Sequence, residues 1–320
     1  MAVYTQIDAI ALAAFLTRYD VGTALAFKGI AEGVENSNYF VETTRGRFIL
    51  TLYEKRVDAG QLPWFLALTT HLADAGLPVP RPIRDREGVA LRTLAGRPAC
   101  LIQFVEGVSV TTPNESETFE VGAALGRLHG AAASFTATRA NALGPAGWAR
   151  LAADCAGRLD AIEPGLEALV SEQLTGITAA WPRHLATATI HADLFPDNVL
   201  MLGGKVTGLI DFYFACTDIR AYDVAVTHAA WVFEADGGAF VASHAAALID
   251  GYRAHACLNE AEIAALPMLC RAASLRFLLT RAYDWLNTPA GAMVTRKDPL
   301  AFARRLRWYA AATPEMILGH

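Results

Sequence analysis

Charge is scarce in this sequence: 18% of the 320 residues are Asp, Glu, Lys or Arg, against 53% hydrophobic, and the formal net charge is -5. Lys and Arg are scattered rather than run together, which argues against nucleic acid or an anionic membrane as the main partner. The five cysteines, at 100, 155, 216, 257 and 270, form no CxxC pair. They read as reduced core thiols, which points to a cytoplasmic setting and excludes a disulfide framework. No uncharged apolar run reaches the roughly 18 residues of a membrane span. The N-terminal run "AIALAAFL" lacks a basic leader and a small-residue cleavage site and directly follows Asp8, so it reads as helix. Internal repeats, low-complexity tracts and HxH or HExxH zinc spacings are also missing. What remains has enough apolar residues for a real core, and its default partner is a small molecule. Nothing in the composition fixes an oligomeric state.

The chain divides by texture. Residues 5 to 18 predict an amphipathic helix, with Thr5 and Asp8 in a capping-box-like arrangement and Ile7, Ile10, Phe15 and Leu16 as apolar positions. "ALAFKGI" (24 to 30), "NYFVETT" (38 to 44) and "RFILTLYE" (47 to 54) carry the aromatic and branched residues of strands, with a turn at Arg45 and Gly46. A helix over 61 to 74 ends near Gly76, and two further strands near 88 to 94 and 98 to 105 complete a small antiparallel sheet. Beyond "FVEGVSV" alanine-rich helical spacing takes over, predicting helices near 116 to 133, 147 to 161, 166 to 180, 221 to 235, 238 to 256, 260 to 286 and 298 to 311. The expected organisation is α+β: a sheet-containing N-terminal lobe over 1 to 104, a connector over 105 to 110 and a helical C-terminal lobe over 111 to 320. Clefts between such lobes are common sites for small molecules.

One stretch of the helical half breaks the pattern. "HADLFPDNVLMLGGKVTGLIDF", His191 to Phe212, holds two apolar segments separated by Gly203-Gly204, a dipeptide suited to a two-residue hairpin turn. If Leu202 opposes Lys205, then Asn198 opposes Leu209, and Asn198 and Asp211 become diagonal neighbours on one face. Asp193 lies five residues before Asn198 in a loop. One carboxylate to orient and deprotonate a hydroxyl, with an Asn and an Asp to hold magnesium on phosphates, is a set suited to phosphoryl transfer, and oxygen ligands suit that ion. Singly, each of these residues also reads as an ordinary turn or cap former.

"HADLFPDNVL", followed by "GLIDFYFACTDIRAYDVAV" and preceded by "LGRLHG", resembles the aminoglycoside phosphotransferase and choline kinase superfamily, relatives of the protein kinases. Within it, "FKGIAEGVENSNYFV", "FILTLYEK", "GLPVPRPI" and "IQFVEG" look closest to the bacterial homoserine kinases of that fold. The resemblance implies a protein-kinase-like two-lobed fold and an ATP- and Mg2+-dependent phosphotransferase acting on homoserine in threonine biosynthesis. It makes Asp193 the catalytic base, Asn198 and Asp211 the magnesium ligands, and His191 and Asp223 structural supports of the loop. It also implies phosphate contacts from the loop containing Gly33, Asn36, Ser37 and Asn38, and adenine contacts through the main chain of Gln103 and Val105.

The third strand departs from the pattern. Kinase-like folds carry a Lys or Arg there, paired with a helical Glu, whereas this strand has Thr51 and the following helix has no acid between Leu62 and Leu72. Lys55 and Arg56 are the candidates to substitute. For the acceptor, homoserine requires a cation for its carboxylate and acceptors for its ammonium. Arg276, Arg281 and Asp284 on the C-terminal helix are nominated, with Tyr213 as a lining residue; Arg281 and Asp284 are also spaced to pair with each other. The alternatives are another hydroxylated acceptor, such as choline, ethanolamine, a sugar or an aminoglycoside, and a nucleotide-binding module without catalysis. A cationic acceptor would favour an acidic, aromatic cage over an arginine.

Overall fold

The structure, a computed structural model, describes residues 4–30, 36–54, 58–288 and 296–320. The chain forms two units, Met1–Glu106 and Gly107–His320. The first is built from α1 (Ala9–Leu16), β1 (Ala24–Ile30), β2 (Asn36–Thr43), β3 (Gly46–Tyr53), α2 (Leu62–Asp74), β4 (Leu91–Leu94) and β5 (Arg97–Gln103). The strands form one antiparallel sheet in the order β1-β2-β3-β5-β4. Strict alternation gives it a core face on which Tyr39, Val41, Leu50, Leu52, Ala99 and Leu101 bury against Leu12, Phe15 and Leu16 of α1. That first helix is shorter than expected. Asp8 alone caps it, accepting from the Ala11 N–H at 2.7 Å, while Thr5 gives its own N–H to Ser37 and its carbonyl to the Tyr39 hydroxyl. Ile10, expected on the apolar face, is 82% exposed.

The second unit contains β6 (Val108–Ser109), α3 (Glu115–Ala132), α4 (Pro145–Cys155), α5 (Leu166–Ala180), β7 (Thr187–Ile190), β8 (Val199–Leu202), β9 (Lys205–Leu209), β10 (Cys216–Ile219), α6 (Arg220–Trp231), α7 (Ala242–Arg253), α8 (Glu260–Asn287), α9 (Leu300–Ala310) and α10 (Pro314–Ile317). Helices α3 and α7 approach closely because glycines face the opposing backbone. A Cβ at Gly122 would meet the Leu248 carbonyl at 2.0 Å, and one at Gly251 the Phe119 carbonyl at 2.0 Å. Helix α8 starts from a full capping box of Asn259 and Glu262. By length and composition it is the one helix among the described residues able to cross a membrane, and 61% of that apolar window is buried inside the protein.

Three short strands escape a helix-only reading of this half: β7 pairs with β10, and β6 joins the β8–β9 hairpin. At the hairpin turn, Gly203 and Gly204 both take positive φ, 58° and 74°, as the mirror-image two-residue turn requires. Leu202 faces Lys205 as expected, but the register then slips: Met201 pairs with Val206, and Leu200 with Gly208. Thr207 is the extra residue of a bulge, its hydroxyl donating to the Leu200 carbonyl at 3.2 Å. Asn198 therefore accepts from the N–H of Ile210, at 3.0 Å, instead of standing opposite Leu209. The expected diagonal pairing of Asn198 with Asp211 fails at that step.

Candidate active site

The loop after β7 is held from beneath by a buried acid. Asp223 on α6, 0% exposed, accepts from the backbone N–H groups of His191 (2.8 Å) and Ala192 (2.7 Å). Its Oδ2 also meets His129 Nε2 at 3.0 Å, and the other ring nitrogen of His129 lies 2.9 Å from the Tyr252 hydroxyl. Burial alone would raise the Asp223 carboxyl, but His129 and the loop amides more than offset this and hold it below the usual range. An anion is thus fixed under the loop. It secures a strained backbone, for Ala192 takes φ 62°, a left-handed conformation costing a non-glycine residue roughly 1–2 kcal/mol. From the other side Arg276 donates to the Ala192 carbonyl, and Trp231 Nε1 donates to the Leu194 carbonyl at 2.8 Å.

His191 is fully buried. Its Nε2 lies 3.0 Å from the Ile210 carbonyl, and its Nδ1 accepts from the Asp193 N–H at 3.2 Å. Burial lowers its pKa, so the ring is neutral and joins the loop to the end of the hairpin. It has no acid–base geometry of its own.

Asp193 and Asn198 meet directly. Asn198 Nδ2 donates to the Asp193 carbonyl at 2.7 Å and to its Oδ2 at 3.0 Å. Both donations use the amide nitrogen, and among the described residues no hydrogen bond to the Asn198 amide oxygen is formed. The Asp193 side chain keeps 16% exposure, and Arg276 Nη2 stands 3.8 Å from its Oδ1. Burial raises the Asp193 pKa and the Arg276 charge partly counters that rise. A carboxyl tuned upward beside a fixed amide is a competent proton acceptor for a hydroxyl. Asp211 follows the hairpin at φ 62° and ψ 63° and is exposed. The left-handed turn, not strand alternation, sets the course of the chain there. Among the described residues no three His, Cys, Asp or Glu side chains gather as a metal cluster. Asn198 and Asp211 each carry oxygens of the type that Mg2+ takes when phosphates and water complete its octahedron.

The other nominated residues scatter. Gly33, Lys55 and Arg56 lie outside the described residues. Asn36 is buried and its side-chain oxygen accepts from the Glu54 N–H at 3.4 Å, while Asn38 accepts from the Thr51 hydroxyl at 2.8 Å across the β2–β3 pair. Ser37 points to the opposite face of β2. It is 0% exposed, its Oγ accepts from the N–H groups of Tyr4 and Thr5, and it donates to Glu54, which also pairs with Arg97. Its side chain is thus engaged within the protein, while the phosphate contact expected of this loop runs through backbone amides. The Gln103 N–H is taken by the Arg81 carbonyl at 2.9 Å, whereas Val105 carries no hydrogen bond to the described residues.

Arg276, nominated for substrate, is 1% exposed and packs over the rings of Phe214 and Phe277. Its guanidinium braces the loop from inside, which corrects the nomination. Arg281 does not form the expected ion pair with Asp284; it lies over Phe302 at 4.5 Å and donates to the Asp298 carbonyl at 3.1 Å. Asp284 is exposed and Tyr213 half-buried. His129 was not singled out in the sequence, although a histidine on an otherwise Ala- and Leu-rich helix face was a signal that a buried partner had to exist.

Comparison with known proteins matches residues 26–258 to the model of a phosphotransferase enzyme family. The homoserine kinase of Granulibacter bethesdensis is 54% identical over 312 residues, covering 98% of both chains. That of Gluconacetobacter diazotrophicus is 55% identical over 314 residues, again 98% of both. Among solved structures, an amicoumacin kinase in complex with AMP-PNP, Ca2+ and Ami superposes with a TM-score of 0.71 over 95% of this chain and 93% of its own, at 16% identity. That likeness concerns the fold.

Proposed function

Because this chain belongs to the phosphotransferase enzyme family, we propose that it transfers the γ-phosphoryl group of ATP to the side-chain hydroxyl of L-homoserine, giving O-phospho-L-homoserine and ADP. The observation that carries the chemistry is the Asp193–Asn198 contact on a loop anchored by Asp223 and Arg276. The acceptor is suggested by the names of relatives sharing 54% and 55% of residues along nearly the whole chain. The place assigned to the reaction is the cytoplasm, on the route to threonine.

In the proposed step Asp193 aligns the acceptor hydroxyl and takes its proton as the oxygen attacks the γ-phosphorus. The bond to the β,γ-bridging oxygen breaks, and ADP leaves with the electron pair. A Mg2+ ion held by Asn198 and Asp211 would supply charge neutralisation on the transferring phosphate. Asn198 orients the base by spending both amide protons on Asp193, and His191, neutral and buried, keeps the loop in register with the hairpin. Asn38, Thr51 and the peptide groups of Val105 are assigned to the nucleotide.

Incubating the purified protein with ATP and Mg2+ and a panel of homoserine, choline, ethanolamine, sugars and aminoglycosides, with phosphate esters followed by phosphorus NMR, tests this reading. A new ester is expected with homoserine in clear preference. A preferred acceptor elsewhere in the panel overturns the substrate, and no ester with any acceptor overturns the activity.

A further inference from the structure

Three guanidinium groups converge on two aromatic rings close to the Asp193 loop, and their charge is not balanced. Phe195, two residues beyond Asp193, packs on Phe277 of α8 with centroids 4.6 Å apart, and Phe277 packs on Phe302 of α9 at 5.2 Å. Arg276 sits over Phe277, and both Arg281 and Arg305 sit over Phe302, each with its guanidinium carbon 4.5 Å from the ring centre. Arg276 has Asp193 at 3.8 Å. Arg305 is 4% exposed and donates only to carbonyls, of Ala229 at 2.7 Å and Glu234 at 3.3 Å. Arg281 is half-buried and gives one N–H to the Asp298 carbonyl. Among the described residues no carboxylate lies within 4.0 Å of Arg281 or Arg305.

Two like charges sharing one ring in a partly desolvated setting repel, and the ring face offsets only part of that. Burial draws the Arg281 pKa down to about 10, and the Arg305 pKa to about 10 as well. Of the pair, Arg305 has its terminal nitrogens bound inward, whereas among the described residues Arg281 gives a single N–H to an acceptor, the Asp298 carbonyl. The carboxylates of Asp197, Asp298 and Asp193 act on Arg281 from beyond ion-pair distance, so its guanidinium has capacity for a small anion.

We propose that Arg281 is the anchor for the carboxylate of the acceptor, and that it makes the enzyme selective for hydroxy amino acids over amino alcohols that lack a carboxylate. This rests on the homoserine reading above. Arg281 sits over Phe302, which packs on Phe195 two residues beyond Asp193, and in L-homoserine four bonds separate the carboxylate carbon from the hydroxyl oxygen that the proposal assigns to Asp193. Arg276 and Arg305 contribute field without contact, the first as a brace of the loop and the second as a support behind Phe302.

The test compares L-homoserine with 3-aminopropan-1-ol, which keeps the hydroxyl and ammonium and lacks the carboxylate. The wild-type protein should prefer homoserine by 100-fold or more in kcat/KM, about the worth of a charge-assisted hydrogen-bond pair. Arg281→Gln should lower kcat/KM for homoserine by roughly 10- to 100-fold, mainly through KM, and leave 3-aminopropan-1-ol within about twofold. Arg281→Lys, which keeps the charge without the fork, should fall between, and it serves as the readout if the Gln variant does not fold. Equal losses for both acceptors, or an unchanged preference, overturn the anchor while the functional reading stands. A wild-type protein that does not phosphorylate homoserine overturns the reading itself.

Discussion

Asp193 gains its properties from neighbours that a sequence does not display. Its carboxyl is pushed upward by burial and pulled back by Arg276, while Asn198 fixes its orientation. A base acts only when deprotonated, so activity must fall on the acid side as Asp193 takes up a proton. Removing the opposing positive charge raises the carboxyl further. Arg276→Met is therefore expected to move the acid limb of the kcat/KM profile toward neutral pH, with activity lost at pH values where the wild type is still active. A limb that stays in place, in a variant whose circular dichroism is unchanged, would show that Arg276 does not act on this carboxyl. Asp193, Asn198 and Asp211, on which the proposed chemistry rests, stand out in the sequence because their residue types and spacing suit that chemistry. Arg276 was misread because an arginine amid apolar residues has two meanings, a ligand for substrate or a buried brace. Only burial separates them.

At the scale of elements, the hairpin and α8 give opposite lessons. The Gly203-Gly204 turn was legible because positive φ at two successive residues nearly demands glycine. The bulge at Thr207 was not, since a β-branched residue within an apolar strand gives no sign of an insertion, and the deduced register failed by one position. Helix α8 matters because it carries Arg276, Phe277 and Arg281 together, and its placement depends on its first turn. Glu262, 0% exposed, closes the capping box and accepts a forked pair of hydrogen bonds from Arg220 at the start of α6, three residues before Asp223. The pair thus ties the helix beneath the Asp193 loop to the helix beside it. Glu262→Ala leaves Arg220 without its carboxylate partner and removes one of the two bonds of the capping box, that from the Asn259 N–H, and should cost about 3 kcal/mol in denaturant unfolding. Glu262→Gln, which keeps a cap and one acceptor, should cost less. Equal unfolding midpoints for wild type and the Ala variant would contradict the tie.

For the whole molecule, the α+β division was legible from texture, because alternation and 3.6-residue spacing occupy different halves of the chain. The strands β6, β7 and β10 were not, being two to four residues long in a stretch otherwise read as helix and loop. The helical unit also sets how the protein responds to acid. His228 is enclosed between the Tyr309 hydroxyl at 2.6 Å and the Ile317 carbonyl at 2.9 Å, and burial lowers its pKa from 6.5 to about 4. The unfolded chain takes up a proton on this residue near pH 6.5 and the folded chain only near 4. Stability is therefore lost as pH falls through that window, by about 3 kcal/mol from this residue. In His228→Gln the fall in unfolding free energy between pH 7 and pH 4 should be shallower by about that amount; parallel curves would contradict it.

The account turns on Asp193 acting as the base that accepts the hydroxyl proton of homoserine. The direct measurement is the single-turnover rate of ester formation, with homoserine binding measured alongside, for wild type and Asp193→Asn. The substitution keeps the size of the side chain and removes only its basicity. The predicted result is a rate lower by at least about 100-fold with homoserine affinity within a few fold of wild type. A near-wild-type rate with binding intact would contradict it.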